Sequence, residues 1–134
     1  YTSPHLVRFN ERIRLAGSLI ADDALNTILD RIEAIPGVET TVFESTTAAA
    51  FVAMAETPAD LAIVEVGLGG SLDATNVIER PLLSVITPVD LDHAELLGTN
   101  LVAVAGEKAG ILKAGARGIV ARPREDAMAA IEAR

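Results

Sequence analysis

The sequence contains no cysteine and no tryptophan, and only one tyrosine and three phenylalanines among 134 residues. Without cysteine there is no disulfide framework, no thiolate zinc centre and no cysteine nucleophile. Histidine is nearly as scarce: with His5 and His93 alone, and no HExxH, a three-histidine zinc centre is excluded. Positive charge is in deficit, eleven Lys and Arg against nineteen Asp and Glu, for a formal net charge of -8. A surface of that sign repels polyanions, so nucleic acid is not an expected partner. No apolar run approaches the roughly 20 residues that cross a bilayer, and no basic segment leading into an apolar stretch opens the chain. No membrane partner and a cytoplasmic setting are therefore expected. The chain also lacks G-x-x-x-x-G-K-[ST], and Leu72 stands where the third glycine of a G-x-G-x-x-G beginning at Gly67 would fall. It carries no phosphate-cradling loop and no dinucleotide fingerprint of its own.

What is present suits a folded domain: 50% of the residues are hydrophobic and 22% are charged. A chain this long removes about two thirds of its unfolded surface from water, and one domain over residues 1–134 is expected. Asp22 is placed to cap a helix running towards Ile35, with Leu25, Ile28, Leu29 and Ile32 at helical spacing and Pro36-Gly37 as the stop. A second helix is expected over about Ser45 to Ala55. Leu61 to Val66 is a short, nearly continuous apolar run that leads into Gly67-Leu68-Gly69-Gly70, the pattern of a buried parallel strand entering a glycine-rich loop. Leu82 to Thr87 and Arg117 to Ala121 repeat that character. Thr99 to about Lys108 reads as a helix, and Pro123 as the first turn of a last one. Strands separated by helices imply an α/β fold, a parallel sheet flanked by helices, with ligands beyond the carboxyl ends of the strands.

Glu65 lies near the end of the first apolar run. There a carboxylate either recruits a cation or several donors to offset desolvation, or stays in solvent or paired with an arginine. Asp90, Asp92 and His93 follow the next run, so the two strand ends are expected to bring Glu65 and His93 within the radius of one metal site. Oxygen-rich sets of this kind suit magnesium, whose shell is completed by water and phosphate oxygens; an aspartate-capped turn beside an exposed histidine is the plainer reading. Lys108 and Lys113 are the only lysines. Lys108 lies among small residues that permit close approach of a ligand, though solvated helix-end charge is the more common explanation.

Five segments carry a resemblance: TSPHLVRFNERIRLAG at Thr2 to Gly17, FESTTAAAF at Phe43 to Phe51, EVGLGGSLDATNVI at Glu65 to Ile78, DLDHAELLG at Asp90 to Gly98 and AGEKAGILK at Ala105 to Lys113. Together, and in this order, they resemble the folylpolyglutamate synthase/dihydrofolate synthase family of the Mur ligase superfamily. The resemblance implies part of a central, P-loop type ATP-binding domain without its P-loop strand. The P-loop segment is expected upstream of Tyr1 and the C-terminal ligase domain after Arg134. It further implies an ATP- and magnesium-dependent ligase that joins L-glutamate to dihydropteroate or to a folate such as tetrahydrofolate through an acyl phosphate.

By motif, Ser3 and Glu65 resemble magnesium ligands, His93 the ligand of a second magnesium, and Lys108 the family's carbamylated lysine. Lys108, Glu65 and His93 form the implied catalytic set. Asp73 resembles a pterin-contacting residue, and Arg8 with Phe9 lies in the segment bordering the folate pocket. Ser71 departs from the family's GG-R-x-DATN, which removes a fixed positive charge at that point. The competing expectations are another Mur-type amide ligase and a non-catalytic folate- or nucleotide-binding module. The parent enzyme is expected to be a monomer, and the 134 residues alone to be inactive and prone to self-association.

Overall fold

The computed structural model describes residues 1–90 and 100–134. These residues gather into two compact units, Tyr1–Gly67 and Leu68–Arg134.

The first unit opens with an extended segment and a 3-10 turn, Phe9–Arg12, followed by two short antiparallel strands, β1 (Arg14–Leu15) and β2 (Ser18–Leu19). Arg14 pairs with Leu19 and Leu15 with Ser18. The connection is a two-residue loop in which both Ala16 and Gly17 have positive φ, 48° and 84°. That is the backbone twist a tight hairpin needs. No alternating pattern in the sequence marks this hairpin, because β1 and β2 are two residues each.

Helix α1 spans Asp22–Glu33 and α2 Val42–Glu56. Asp22 does not cap α1. The N-cap is Ala21, without a side-chain bond, and the Asp22 carboxylate is used by the Asn10 amide at 2.7 Å and by Arg8 at 3.4 Å. Thr41 does cap α2: its hydroxyl accepts from the Glu44 N–H while Glu44 accepts from the Thr41 N–H, a reciprocal pair that starts the helix three residues earlier than its apolar period suggests. The small residues Ala49, Ala50 and Ala53 of α2 are buried against Leu25 and Ile28 of α1 and against Ile13, Ile20 and Tyr1. Inside this core the Tyr1 hydroxyl bonds Thr47 Oγ1 at 3.1 Å, and the Asn10 amide also bonds the Ile20 carbonyl at 2.8 Å. The polar groups taken from water are thereby satisfied.

Leu61 to Val66 departs from its expected form. It is extended, but it joins no strand ladder, and Leu61 and Ile63 are exposed. The only pairing it shows among the described residues is with Tyr1, whose N donates to Ile63 O at 2.7 Å while Glu65 N donates to Tyr1 O at 3.0 Å. These two bonds have the geometry of one parallel bridge.

The second unit contains β3 (Leu83–Ile86), α3 (Leu101–Ala109), β4 (Arg117–Val120) and α4 (Glu125–Glu132). β3 and β4 pair in parallel with Leu83 opposite Arg117 and Ile86 opposite Val120. The parallel sheet is therefore real but small, two strands packed with helices. Its core joins Ile86 and Val89 to Leu101, Val104, Ala105 and Ala109 of α3 and to Ala127 and Ile131 of α4. β3 buries Ser84 and Ile86 and exposes Leu83 and Val85, so it alternates instead of being covered on both faces. Pro123 precedes α4, whose N-cap is Arg124. α3 begins after Asn100, whose Oδ1 accepts from Val102 N and Ala103 N.

Candidate functional site

The expected site residues of the first unit lie on its N-terminal segment and on the chain that pairs with it. Because Tyr1 bridges to the 63–65 segment, Thr2 and Ser3 are carried beside Glu65. One carboxylate oxygen, Oε2, accepts both the Thr2 hydroxyl and the Ser3 N–H, the latter at 3.2 Å. Glu65 is exposed, so the desolvation that would force a cation on it does not operate, and two local donors hold it instead. Thr2 is a participant that the sequence did not single out, although it stands in the same TSPHL motif. Glu65 Oε1 and the Ser3 hydroxyl take no hydrogen bond from any described residue and remain open as hard oxygen donors.

Arg8 and Phe9 sit on the 3-10 turn. The Arg8 guanidinium reaches Asp22 at 3.4 Å with both side chains mostly in solvent, a pairing of small energetic value. Phe9 is half-buried; His5 packs against its ring at 5.4 Å between centroids and the Arg12 guanidinium lies 5.2 Å above it. Arg12 Nε in turn donates to His5 Nδ1 at 3.0 Å. The organiser of this segment is Glu11, a residue outside the expected site set. Its carboxylate accepts from the backbone N–H groups of Leu6, Val7 and Arg8 at 2.7, 3.1 and 2.7 Å. These bonds, from Leu6 first and then Arg8, hold the Glu11 carboxyl below its ordinary pKa. The signal was present in RFNER, an acid three residues after the residue preceding a short helical turn.

In the second unit, Asp73 closes the turn that follows the glycine-rich loop. Oδ2 accepts from Leu68 N at 2.8 Å, and Oδ1 from the Thr75 N–H at 2.9 Å and the Thr75 hydroxyl at 2.5 Å. Lys108 lies half-buried in the last turn of α3, directly under that loop: a Cβ placed on Gly70 would come within 3.1 Å of the Lys108 Cα. Asp90 is described and exposed, whereas Asp92 and His93 lie outside the described residues. The expected closeness of Glu65 and His93 falls there with them. Among the described residues no three His, Asp or Glu side chains converge into a metal cluster. A surface cavity of about 590 Å³ in the first unit, between Arg12, Arg14, Met54 and Ile63, holds none of the expected site residues.

Comparison with known proteins supplies what the geometry of separate motifs does not. No family model matches the chain. A dihydrofolate synthase/folylpolyglutamate synthase of Bacillus subtilis is 42% identical over 139 residues, covering 98% of this chain and 32% of the relative. The chain is homologous to the folylpolyglutamate/dihydrofolate synthases. Among solved structures, Escherichia coli FolC in complex with DHPP and ADP matches 100% of this chain and 33% of its own with a TM-score of 0.91 at 34% identity. A bifunctional folylpolyglutamate synthase/dihydrofolate synthase with Mn, AMPPNP and L-glutamate bound matches 99% of this chain and 33% of its own, with a TM-score of 0.89 at 34% identity. The chain thus spans about a third of the length of the synthases it matches. Among the described residues no helix is long and apolar enough to cross a membrane.

Proposed function

We propose that the protein carrying this chain is an ATP-dependent ligase that joins L-glutamate to dihydropteroate or a folate. The observation that carries this reading is the match of the entire chain, at 34% identity and a TM-score of 0.91, to a synthase structure that holds DHPP and ADP. A related structure with Mn, AMPPNP and L-glutamate supports the nucleotide, the divalent cation and the amino-acid substrate. The substrate carboxylate takes the γ-phosphoryl group of ATP, releasing ADP. The glutamate amine then attacks the acyl phosphate, forming the amide and expelling phosphate.

The chemistry is largely positioning and charge neutralisation. Magnesium, when bound, neutralises charge on the transferring phosphoryl group. Glu65 Oε1 and the Ser3 hydroxyl fit that cation as open oxygen donors, with Oε2 fixed by Thr2 and the Ser3 N–H. In this reading His93 would hold a second magnesium, and Lys108, as its carbamate, would present an anionic oxygen from the end of α3. Arg8 and Phe9 border the folate and Asp73 the pterin. Asp73 meets its substrate as a residue already fixed by Leu68 and Thr75, which costs little further ordering on binding.

The test is ATP-dependent incorporation of labelled L-glutamate by the full-length protein, with dihydropteroate and tetrahydrofolate supplied in parallel. Incorporation with at least one acceptor is expected, and none with either overturns the reading. The Lys108 role is tested separately by Lys108→Ala, whose lost activity a short carboxylate should restore in part; an unimpaired variant excludes the carbamate.

A further inference from the structure

Two of the motif segments, LDATN and EKAG, are fastened together in the second unit. Ser71 N and Ser71 Oγ both donate to the Glu107 carbonyl, at 3.0 and 3.2 Å. Asn76 Nδ2 donates to the Ser71 carbonyl at 3.0 Å and to the Gly110 carbonyl at 3.1 Å, bridging segments 34 residues apart with one amide nitrogen. The surfaces so joined leave no room for side chains. A Cβ on Gly110 would lie 2.1 Å from Ser71 Oγ, and one on Gly70 2.6 Å from the Glu107 carbonyl oxygen. Asp73 and Lys108 hang from the two halves of this joint. Asp73 N bonds the Gly70 carbonyl at 3.2 Å and Asn76 N bonds the Asp73 carbonyl at 2.9 Å, while the Lys108 carbonyl accepts from Ile111 N at 3.3 Å.

We infer that Asn76 is a positioning residue of the ligase: its carboxamide ties the glycine-rich loop to the C-terminal end of α3 and so holds Asp73 and Lys108 in register. This rests on the functional reading above. The chemistry requires a donor pair on one planar nitrogen, which among residues of this size only asparagine supplies. Aspartate has the same shape but opposes a carboxylate to two carbonyl oxygens. Its ionised form cannot donate, and its protonated form can donate to one of them.

Two measurements decide the assignment. Hydrogen exchange on the full-length protein should show Asn76→Asp and Asn76→Ala raising exchange about tenfold, the worth of the lost bonds, in residues 68–76 and 107–112 together, with α1 and α2 unchanged. In the full-length protein, Asn76→Asp should lower kcat for glutamate incorporation about tenfold with KM for ATP within about twofold. Its deficit should deepen as pH rises, since the two carbonyls raise the pKa of the introduced carboxyl and the surviving donor is lost on ionisation. Asn76→Ala should show the loss without that pH dependence. Unchanged exchange in both segments overturns the tie, and unchanged kcat in both variants overturns its positioning role. A full-length protein that incorporates no glutamate overturns the functional reading instead, and the exchange experiment still decides the tie.

Discussion

Glu65 shows what a single carboxylate does when its two oxygens have different partners. Oε2 is held by Thr2 and the Ser3 N–H, so Oε1 is presented in one orientation without the entropy of a free side chain. Replacing it with glutamine keeps an acceptor for both donors and removes the charge. Glu65→Gln should therefore raise the magnesium concentration for half-maximal ligation about 10–100-fold with little change in thermal midpoint. An unchanged magnesium requirement, read by titration of the activity, would remove Glu65 from the metal site. Glu11 makes the opposite case, a carboxylate used wholly for structure. Its folded pKa is depressed by the N–H groups of Leu6 and Arg8, so the ordering it supplies is complete above the unfolded pKa and is lost as pH falls through the folded one. The amide resonances of Leu6, Val7 and Arg8 should shift together on acidification with a midpoint below the usual glutamate range. A midpoint at or above that range would contradict the bonds.

At the scale of elements, α3 carries two glycines with opposite meanings. Gly106 lies within the helix with open space where a side chain would go, whereas Gly110, at the C-cap with ordinary right-handed dihedrals, meets Ser71. Gly106→Ala should stabilise by about 0.5–1 kcal/mol through helix propensity. Gly110→Ala should cost about 1–3 kcal/mol through overpacking against Ser71. Denaturant unfolding of the two variants checks both signs, and equal effects would mean that the contact with Ser71 is not tight. The helices themselves were legible. α1 was found within two residues of its end because Leu25, Ile28, Leu29 and Ile32 keep the period. The start of α2 is not legible in the alanine pattern, because the reciprocal Thr41–Glu44 cap sets it.

For the whole molecule, charge and exposed apolar surface oppose each other. Leu83, Val85 and Ile119 lie exposed on the parallel pair while the chain carries a net charge of -8. Repulsion of that size weakens as salt shortens the Debye length to about 8 Å at physiological ionic strength. Self-association of the 134-residue chain should accordingly increase with salt, read by sedimentation velocity; a salt-independent monomer would show that the exposed strands do not drive contact. The same charge bears on nucleotide. With no G-x-x-x-x-G-K-[ST] to supply an amide cradle, this chain should bind Mg-ATP far more weakly than about 1 μM, which corresponds to about -8 kcal/mol. Calorimetry showing micromolar affinity would reveal a cradle formed from other residues.

Legible in the residues alone are the helices with sustained periods, the two parallel strands, the exclusions that follow from missing cysteine and scarce histidine, and the family through five ordered motifs. Those depend on residue type and local spacing, which the chain displays directly. Tertiary structure alone decided that Leu61 to Val66 joins no strand ladder among the described residues, with Leu61 and Ile63 exposed and Val64 and Val66 half-buried, since strand burial depends on which layers cover it and not on its own apolar run. It alone also placed Thr2 on Glu65, Glu11 under three amides and Asn76 across Ser71 and Gly110. A polar side chain's partner is set by how distant segments pack, and no local pattern encodes which carbonyl or carboxylate the fold will bring within 3 Å of it.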